Sequence, residues 1–522
     1  MEISQNIRGG AFKDPAVHAS FDALQQRFTK KFYDIFLDDL AEKTVVIIPS
    51  LTLDGDVLRT VKGALHYEER MLCMLLLLRM PRTRLIYVTS VPIDSSIIDY
   101  YLHLLPGITP YHALQRLTLL SCYDASERSL TEKILERPRL IKRIKETIRM
   151  NDLGHIATFN VTAHEMKLAQ ALDLPIFGCH PDLWYIGTKT GSREIFRNLG
   201  LALPAGFENL QNEYDIAHAL ATLKRRNPLL QKAVVKMNDG FSGEGNAIFS
   251  YRDYMHIDEN LAENILRNLP HELVIVAPNL GYEIYLKKFS SMGGIVEEFV
   301  LGEVLESPSV QCRVNPVGEP EVMSTHDQML GGESGQVYLG AVFPAREAYS
   351  KEIGEIGKTI ADQLKRLGVI GRFAVDFISV QQPAGWKHYA IEINLRKGGT
   401  THPFIMLQFL TGGLYKWQEG TYATADNQKR FYISSDNVQN DRYKGLTPHD
   451  LIDIAMCNHI LYDGAKQTGV MFHMIGALSQ FGKLGMVCIG KTVAEAQDYY
   501  DKTIAILDKE CGPECPDENQ LP

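Results

Sequence analysis

The run GRFAVDFISVQQPAGWKHYAIEINLRKGGTTH, residues Gly371 to His402, decides how the chain is read. It holds two strand-like segments, and side chains on a strand alternate between faces. In the second segment Tyr389, Ile391, Ile393 and Leu395 share one face, while Ala390, Glu392, Asn394 and Arg396 share the other. In the first, Phe373, Val375 and Phe377 lie together and Asp376 lies opposite them with Ala374 and Ile378. If the segments pair through Gln381 to Lys387, Asp376 comes beside Glu392 and Asn394. Three oxygen-bearing side chains then converge, a donor set that suits a hard cation such as Mg2+. A half-exposed sheet with a solvated polar face explains the same alternation. This stretch alone leaves both readings open.

A chain of 522 residues exceeds what one hydrophobic core usually supports, so several units are expected. Apolar residues make up 45% and charged residues 22%, an ordinary globular balance. The net charge of -9 argues against nucleic acid as a partner. The one dense basic stretch, Arg137 to Arg149, interleaves Leu140, Ile141, Ile144 and Ile148 at helical spacing and reads as the solvated side of a helix. The N-terminal MEISQNIRGGAFKD lacks a signal-peptide core, and nothing approaches the ~20 apolar residues of a transmembrane helix. Eight scattered cysteines without C-x-x-C pairs fit free thiols, and the expected setting is cytoplasmic, without a membrane partner.

From Lys43 to about Cys179 strands and helices take turns. Strands are expected at Val45–Pro49, Arg84–Ser90, Arg116–Cys122 and Ile156–Val161, and helices at Tyr67–Arg79, Ser96–Leu105, Leu130–Ile148 and Thr162–Leu172. This alternation predicts an open, mostly parallel sheet wrapped by helices. No G-x-G-x-x-G follows the first strand, so a separate nucleotide site there is not expected. The unit can still supply substrate contacts.

A second unit opens at the small-residue turn Gly187-Thr188-Lys189-Thr190-Gly191, followed by a helix from Ser192 to Leu199 and another from Tyr214 to Arg225. A short strand ends in Lys236 and runs into the loop Asn238 to Asn246, whose Gly240, Gly243 and Gly245 let backbone amides approach an anion closely. With Ala247 to Ser250 as the returning strand, this is a glycine-rich hairpin and not a Walker loop. Further strands are expected at Leu273–Ala277, Ile295–Gly302, Ser309–Val314 and Glu321–Ser324, then a helix Tyr349–Leu367. Beyond the opening stretch come a buried helix at Pro403–Leu410, a helix at Pro448–His459, strands at Val470–Ala477 and Met486–Ile489, and a closing helix Val493–Asp508.

The order of a lysine turn, a strand lysine with its glycine-rich flap, and a distant D...E-x-N-x-R strand pair resembles the ATP-grasp superfamily, in which ATP is held between two α+β subdomains. The resemblance runs from about Ile186 to Thr411. The preceding α/β domain together with GTKTGSREIFRNLGLALPAG, EEFVLGEVLESPSVQ and GKLGMVCIGKTVAEAQ looks like the pheganomycin-type peptide ligases. The fold class so implied is α/β plus α+β: an N-terminal open α/β domain over 1–185 and ATP-grasp subdomains over 186–300 and 301–508, with a disordered tail over 509–522.

By position, the resemblance implies that Lys189 and Lys236 contact ATP and that Gly240, Ser242, Gly243 and Gly245 cover its phosphates. Glu297, Glu298 and Val300 would form the adenine hinge, and Glu303 or Glu306 would bind ribose. Asp376, Glu392 and Asn394 would hold Mg2+, and Arg396 would face the transferred phosphoryl and the acyl group. Arg372 is a further candidate phosphate contact. His402 either approaches the acyl substrate or caps the next helix. His326 and Arg313 are read either as substrate-carboxylate contacts or as a surface ion pair.

The implied activity is an ADP-forming carboxylate–amine ligase working through an acyl phosphate, with ATP and Mg2+ and with small-molecule acid and amine substrates. Two anions can meet only if cations screen them. A different acceptor, as in an acid–thiol ligase or a kinase-like member, and a non-catalytic nucleotide-binding protein are the alternatives. A homodimer is the default assembly.

Overall fold

The computed structural model describes residues 15–38, 40–53, 55–148, 153–240, 245–254, 257–277, 280–331, 335 and 337–512. Its first unit is a four-stranded parallel sheet in the order Leu117–Ser121, Thr83–Thr89, Lys43–Ile48, Leu153–Thr158. The central run Lys43–Ile48 is buried along its whole length, as its β-branched sequence demands. Val46, Ile48, Ile86 and Val88 face Ile134, Ile144 and Met166 of the covering helices. Val45, Ile47, Leu85 and Tyr87 face the other way, into a core shared with Phe404, Phe472 and Met486 of the C-terminal part of the chain. Met71, Leu72, Leu75 and Leu76 of helix Ala64–Arg79 belong to that shared core. The helix expected over Leu130–Ile148 is two, Leu130–Leu135 and Pro138–Thr147. Pro138 has no N–H to continue the first helix and starts the second.

The second unit is a five-stranded antiparallel sheet ordered Gly206–Leu210, Gly294–Glu298, Lys232–Met237, Asn246–Ser250, Val274–Ile275. Helices Glu213–Arg226, Leu261–Glu272 and Tyr282–Met292 cover it. The last two were not legible in the sequence, and the strand expected over Leu273–Ala277 shrinks to two residues between them.

The third unit is a nine-stranded sheet. From one edge it runs Gly385–Asn394, Gly371–Gln382, Pro308–Val314, Pro320–Gly331, Val337–Phe343, Phe431–Gln439, Lys483–Gly490, Gly469–His473, with Leu305–Glu306 continuing beside Gly371–Gln382. Helix Ser350–Arg366 and helix Lys189–Asn198 pack on it, the latter contributing Ile195 and Phe196 to its core. The interior strand Phe431–Gln439 and its neighbour Val337–Phe343 carry no sequence expectation.

The closing helix runs to Glu510, two residues past the expected end at Asp508. Residues 513–522 of that tail lie outside the described residues. Cys73, Cys122, Cys179, Cys312, Cys457, Cys488 and Cys511 are free. Among the described residues no helix is long and apolar enough to cross a membrane.

Candidate active site

One cavity of about 470 Å3 opens where the three units meet. Its walls include Lys189, Lys236, Glu298 and Val300 on one side, Asp376, Glu392, Asn394 and Arg396 beneath, and Tyr67, Arg70 and Lys483 at the far end.

The opening stretch forms an antiparallel pair in which Asp376 stands opposite Glu392 and Ala374 opposite Asn394. The pairing slips by one residue after Asp376, so that Phe377 faces Ala390 and Ile391 is the extra residue of a bulge. Simple alternation therefore fails there. Ala390 enters the core beside Phe377 and Ile393, while Ile391, expected on the apolar face, lines the cavity.

Asp376 accepts hydrogen bonds from Gln328 Nε2 at 2.7 Å and from Asn394 Nδ2 at 2.8 Å. Burial, and after it the neighbouring Glu392 carboxylate, push its carboxyl up to about 7. Burial acts most strongly on Glu392 and in the same sense, but the Lys189 ammonium at 2.5 Å together with Arg396 and Lys236 holds that carboxyl below its ordinary value. Two adjacent carboxylates with an amide beside them are a donor set that could hold a divalent cation. Asn394 Oδ1 accepts from Arg396 Nη1 at 2.7 Å. As a ligand, this amide would have to turn its oxygen toward Asp376. Gln328 had no signal in the sequence: it sits on a strand whose neighbours only the sheet order specifies.

Lys189 stands in the first turn of helix Lys189–Asn198, and the turn expected to precede the helix is its N-terminus. Thr188 caps it by accepting from Gly191 N at 3.0 Å. Gly191 is required there because a Cβ would lie 2.0 Å from the Tyr185 carbonyl oxygen. Asn238, the first flap residue, accepts from the backbone of Lys189 and Thr190 at 3.1 and 3.0 Å, tying the flap to this helix end. Gly240 and Gly245 line the cavity. Ser242 and Gly243, expected to cover the phosphates, lie outside the described residues.

Glu297 turns inward. Its two oxygens are held by Lys236 and by Arg193 Nη1, the latter at 2.6 Å. Arg193 also reaches Glu208 at 2.6 Å and the Pro204 carbonyl at 2.8 Å. It was missed in the sequence although it lies one helical turn after Lys189. The open part of the hinge is Glu298 to Val300, with Glu298 accepting from Ala205 N at 3.0 Å.

Several expectations need correction. Glu306 is not in the cavity wall: strand alternation points Leu305 and Ser307 inward, and Glu306 pairs with Arg346 at 2.8 Å. Glu303 is likewise absent from the wall. Arg372 does not line the cavity either. It stands opposite Arg313 in the sheet, and burial together with that like charge depresses it to about 9. His402 neither caps a helix nor reaches the cavity. It lies inside helix Thr401–Thr411 with its Nε2 at 3.2 Å from both Asp436 Oδ1 and His473 Nε2. His326 is buried against Tyr432 at 2.7 Å, and burial takes it down to about 3, so it is a neutral core residue. Arg313 pairs with Glu321 at 2.5 Å.

At the far end, Arg70 binds Asp436 at 2.6 Å and stacks over the Tyr67 ring at 4.0 Å. Lys483 donates to Tyr67 Oη at 3.1 Å. Loop Gly398–Thr400 crosses to Tyr338, and Gly399 lies so close that a Cβ would meet the ring at 2.5 Å.

The cavity thus lies between a five-stranded and a nine-stranded sheet, with Lys189 and Lys236 on one side and an acidic strand pair beneath. Residues 183–275 and 278–418 match the IQCH-like ATP-grasp family, and residues 450–503 match the PGM1 C-terminal domain. The ATP-grasp match thus spans residues 183–275 and 278–418, a little under half of the chain. It is 27% identical over 473 residues to the L-propargylglycine–L-glutamate ligase of Streptantibioticus cattleyicolor, covering 89% of this chain and 94% of that one. It is 22% identical over 417 residues to IQ motif-containing protein H of Danio rerio, covering 71% of this chain and 39% of that one.

Among solved structures, the ADP complex of N5-carboxyaminoimidazole ribonucleotide synthetase superposes with a TM-score of 0.51 at 14% identity, over 90% of this chain and 98% of that one. The biotin carboxylase domain of Hydrogenobacter thermophilus 2-oxoglutarate carboxylase, solved with MgADP, ADP and bicarbonate, gives 0.52 at 12% identity, over 88% and 89%. These two likenesses establish the fold.

Proposed function

We propose that the protein is an ATP-dependent, ADP-forming carboxylate–amine ligase that joins small acids and amines through an acyl phosphate, its substrates being amino acids or short peptides. The observation that carries this is the convergence of Lys189, Lys236, Asp376, Glu392, Asn394 and Arg396 on one cavity of an ATP-grasp fold. The ligase relative with matching coverage supports the same reaction class. Asp376, Glu392 and Asn394 would hold Mg2+, which when bound supplies positive charge to the phosphate oxygens.

The chain's own groups supply the rest. Lys189 and Lys236 now face Glu392 and Glu297, so each ammonium is already desolvated and oriented where phosphates would enter. Arg396 is held only by the amide of Asn394 among the hydrogen bonds of the described residues, which leaves its remaining N–H groups for a developing oxyanion. The hinge Glu298 to Val300 offers backbone groups at the nucleotide side, and Gly240 and Gly245 line the cavity beside it. A cytoplasmic setting accords with the need for ATP and with the free thiols, and a homodimer is the default assembly.

The test measures ADP and phosphate release with purified protein, Mg-ATP and paired panels of amino acids. Release should require both an acid and an amine. Glu392→Gln should lower it at least about 100-fold while the circular dichroism and melting curve persist. Release without an amine, or an unimpaired Glu392→Gln variant, would overturn the reading. A phosphorylated product in the phosphorus NMR spectrum, in place of free phosphate, would replace it with a kinase-like one.

A further inference from the structure

The cavity holds a buried cation that the reaction as described does not use. Lys483 opens strand Lys483–Gly490 and is 6% exposed. Its ammonium has three N–H groups, yet among the described residues its one hydrogen-bond acceptor is Tyr67 Oη at 3.1 Å, and no carboxylate lies within ion-pair distance. Lys397, half-buried in the same wall, has its ammonium taken by the Thr158 carbonyl, and the buried cations of the wall differ from Lys483 in having carboxylates. Lys189 is paired with Glu392, Lys236 with Glu297, and Arg70 with Asp436. Arg70 and Lys483 share the Tyr67 ring, at 4.0 and 5.2 Å from its centroid, but only Arg70 has its charge balanced. An unbalanced buried ammonium is unfavourable unless an anion completes it, and this one faces a cavity open to a ligand.

The position selects the anion. In the large sheet, strand Lys483–Gly490 is five strand steps from the Asp376 strand. That is roughly 24 Å along a flat sheet at ~4.8 Å per step, and less across a twisted one. The triphosphate belongs with Lys189 and Lys236, and the carboxylate that is activated must reach Arg396. Lys483 is left for a second anionic group at the opposite end.

Resting on the ligase reading above, we propose that Lys483 and Tyr67 form the carboxylate subsite for the amine-bearing substrate, so that the acceptor is an amino acid or peptide with a free carboxylate. Arg70 and the Tyr67 ring wall this subsite, and the Asp436 carboxylate is already paired with Arg70 and faced by His402 and His473. Lys483 is thereby a specificity-determining residue for the acceptor.

The test is calorimetric titration of the full chain, with ADP and Mg2+ present, by each of the twenty protein amino acids and by the carboxamide of the tightest binder. The acid should bind at least about tenfold tighter than its carboxamide. Lys483→Met should erase that preference, Lys483→Arg should retain most of it, and Tyr67→Phe should weaken the acid about threefold. Lys483→Met should melt no lower than the wild type, because it removes a buried charge without a carboxylate partner.

An undiminished preference in Lys483→Met, or no binding by any of the twenty, would overturn the proposal. So would a ligation assay in which Lys483→Met raises KM for the acid and not for the amine, which would assign the subsite to a second carboxylate of the donor. Lys483-dependent binding without any acid–amine pair that releases ADP would leave the subsite standing and remove the ligase reading instead.

Discussion

Replacing Arg193 by methionine tests whether the nucleotide-side lysines are held in place by a buried charge network. Arg193 is 1% exposed and makes three hydrogen bonds, to Glu208, Glu297 and the Pro204 carbonyl. Two are charge-assisted, at about 1.5–3 kcal/mol each, and the third is ordinary, at about 1 kcal/mol, a gross loss of about 4–7 kcal/mol. Methionine keeps the packing of the stem, Glu297 keeps Lys236, and Glu208 keeps Arg197. The net loss should fall at the lower end of the range for breaking a buried pair, about 3 kcal/mol.

The three tryptophans report it: Trp386 and Trp417 pack against the core that Ile195 and Phe196 enter, and Trp184 lies just before that helix. Denaturant unfolding followed by their fluorescence should shift by this amount, and Arg193→Lys should fall between, because lysine cannot reproduce the fork. Lys189 is on the same helix, so ATP binding should weaken about tenfold, or about 1.4 kcal/mol. An Arg193→Met protein that unfolds within about 0.5 kcal/mol of the wild type would refute the network.

Gly191→Ala should be destabilising by at least about 2 kcal/mol, since its Cβ would meet backbone 2.0 Å away, and thermal melting reads the loss directly. Glu68, buried beneath Ser90, is pushed by burial from 4.5 up to about 7. The native state then binds the proton more tightly than the unfolded chain, so stability falls as pH rises from about 4.5 through about 7, by at most about 3 kcal/mol. Glu68→Gln should melt higher than the wild type at pH 8 and nearly equal to it at pH 5. Equal melting at both values would show that Glu68 ionises freely. Together with the loss of ligation in Glu392→Gln, these outcomes separate the scaffold from the chemistry.

Much of the site was legible because its residues obey local periods. The parity of Asp376 with Glu392 and Asn394 follows from strand alternation, and pairing through a short turn brings them together. The lysine ahead of a glycine-rich hairpin is equally local. The reading failed where a local rule was interrupted, as at the Ile391 bulge and at Pro138, and where a side chain took a partner from another element. Glu306 illustrates the second case: its sequence neighbours do not reveal that Arg346 holds it on the far side of the strand.

The sequence by itself determined which runs are strands with one polar face, which lysines and acids are candidates for one site, and that an α/β unit precedes them. Only the tertiary structure decided their company. It brought Gln328 to Asp376, Arg193 to Glu297, and Tyr67 to Lys483 across 416 positions of chain. Periodicity records which face a residue occupies, since that depends on the nearest few neighbours. It holds no record of what packs against that face, which is set by sheet order and by the core joining the first unit to the last strands.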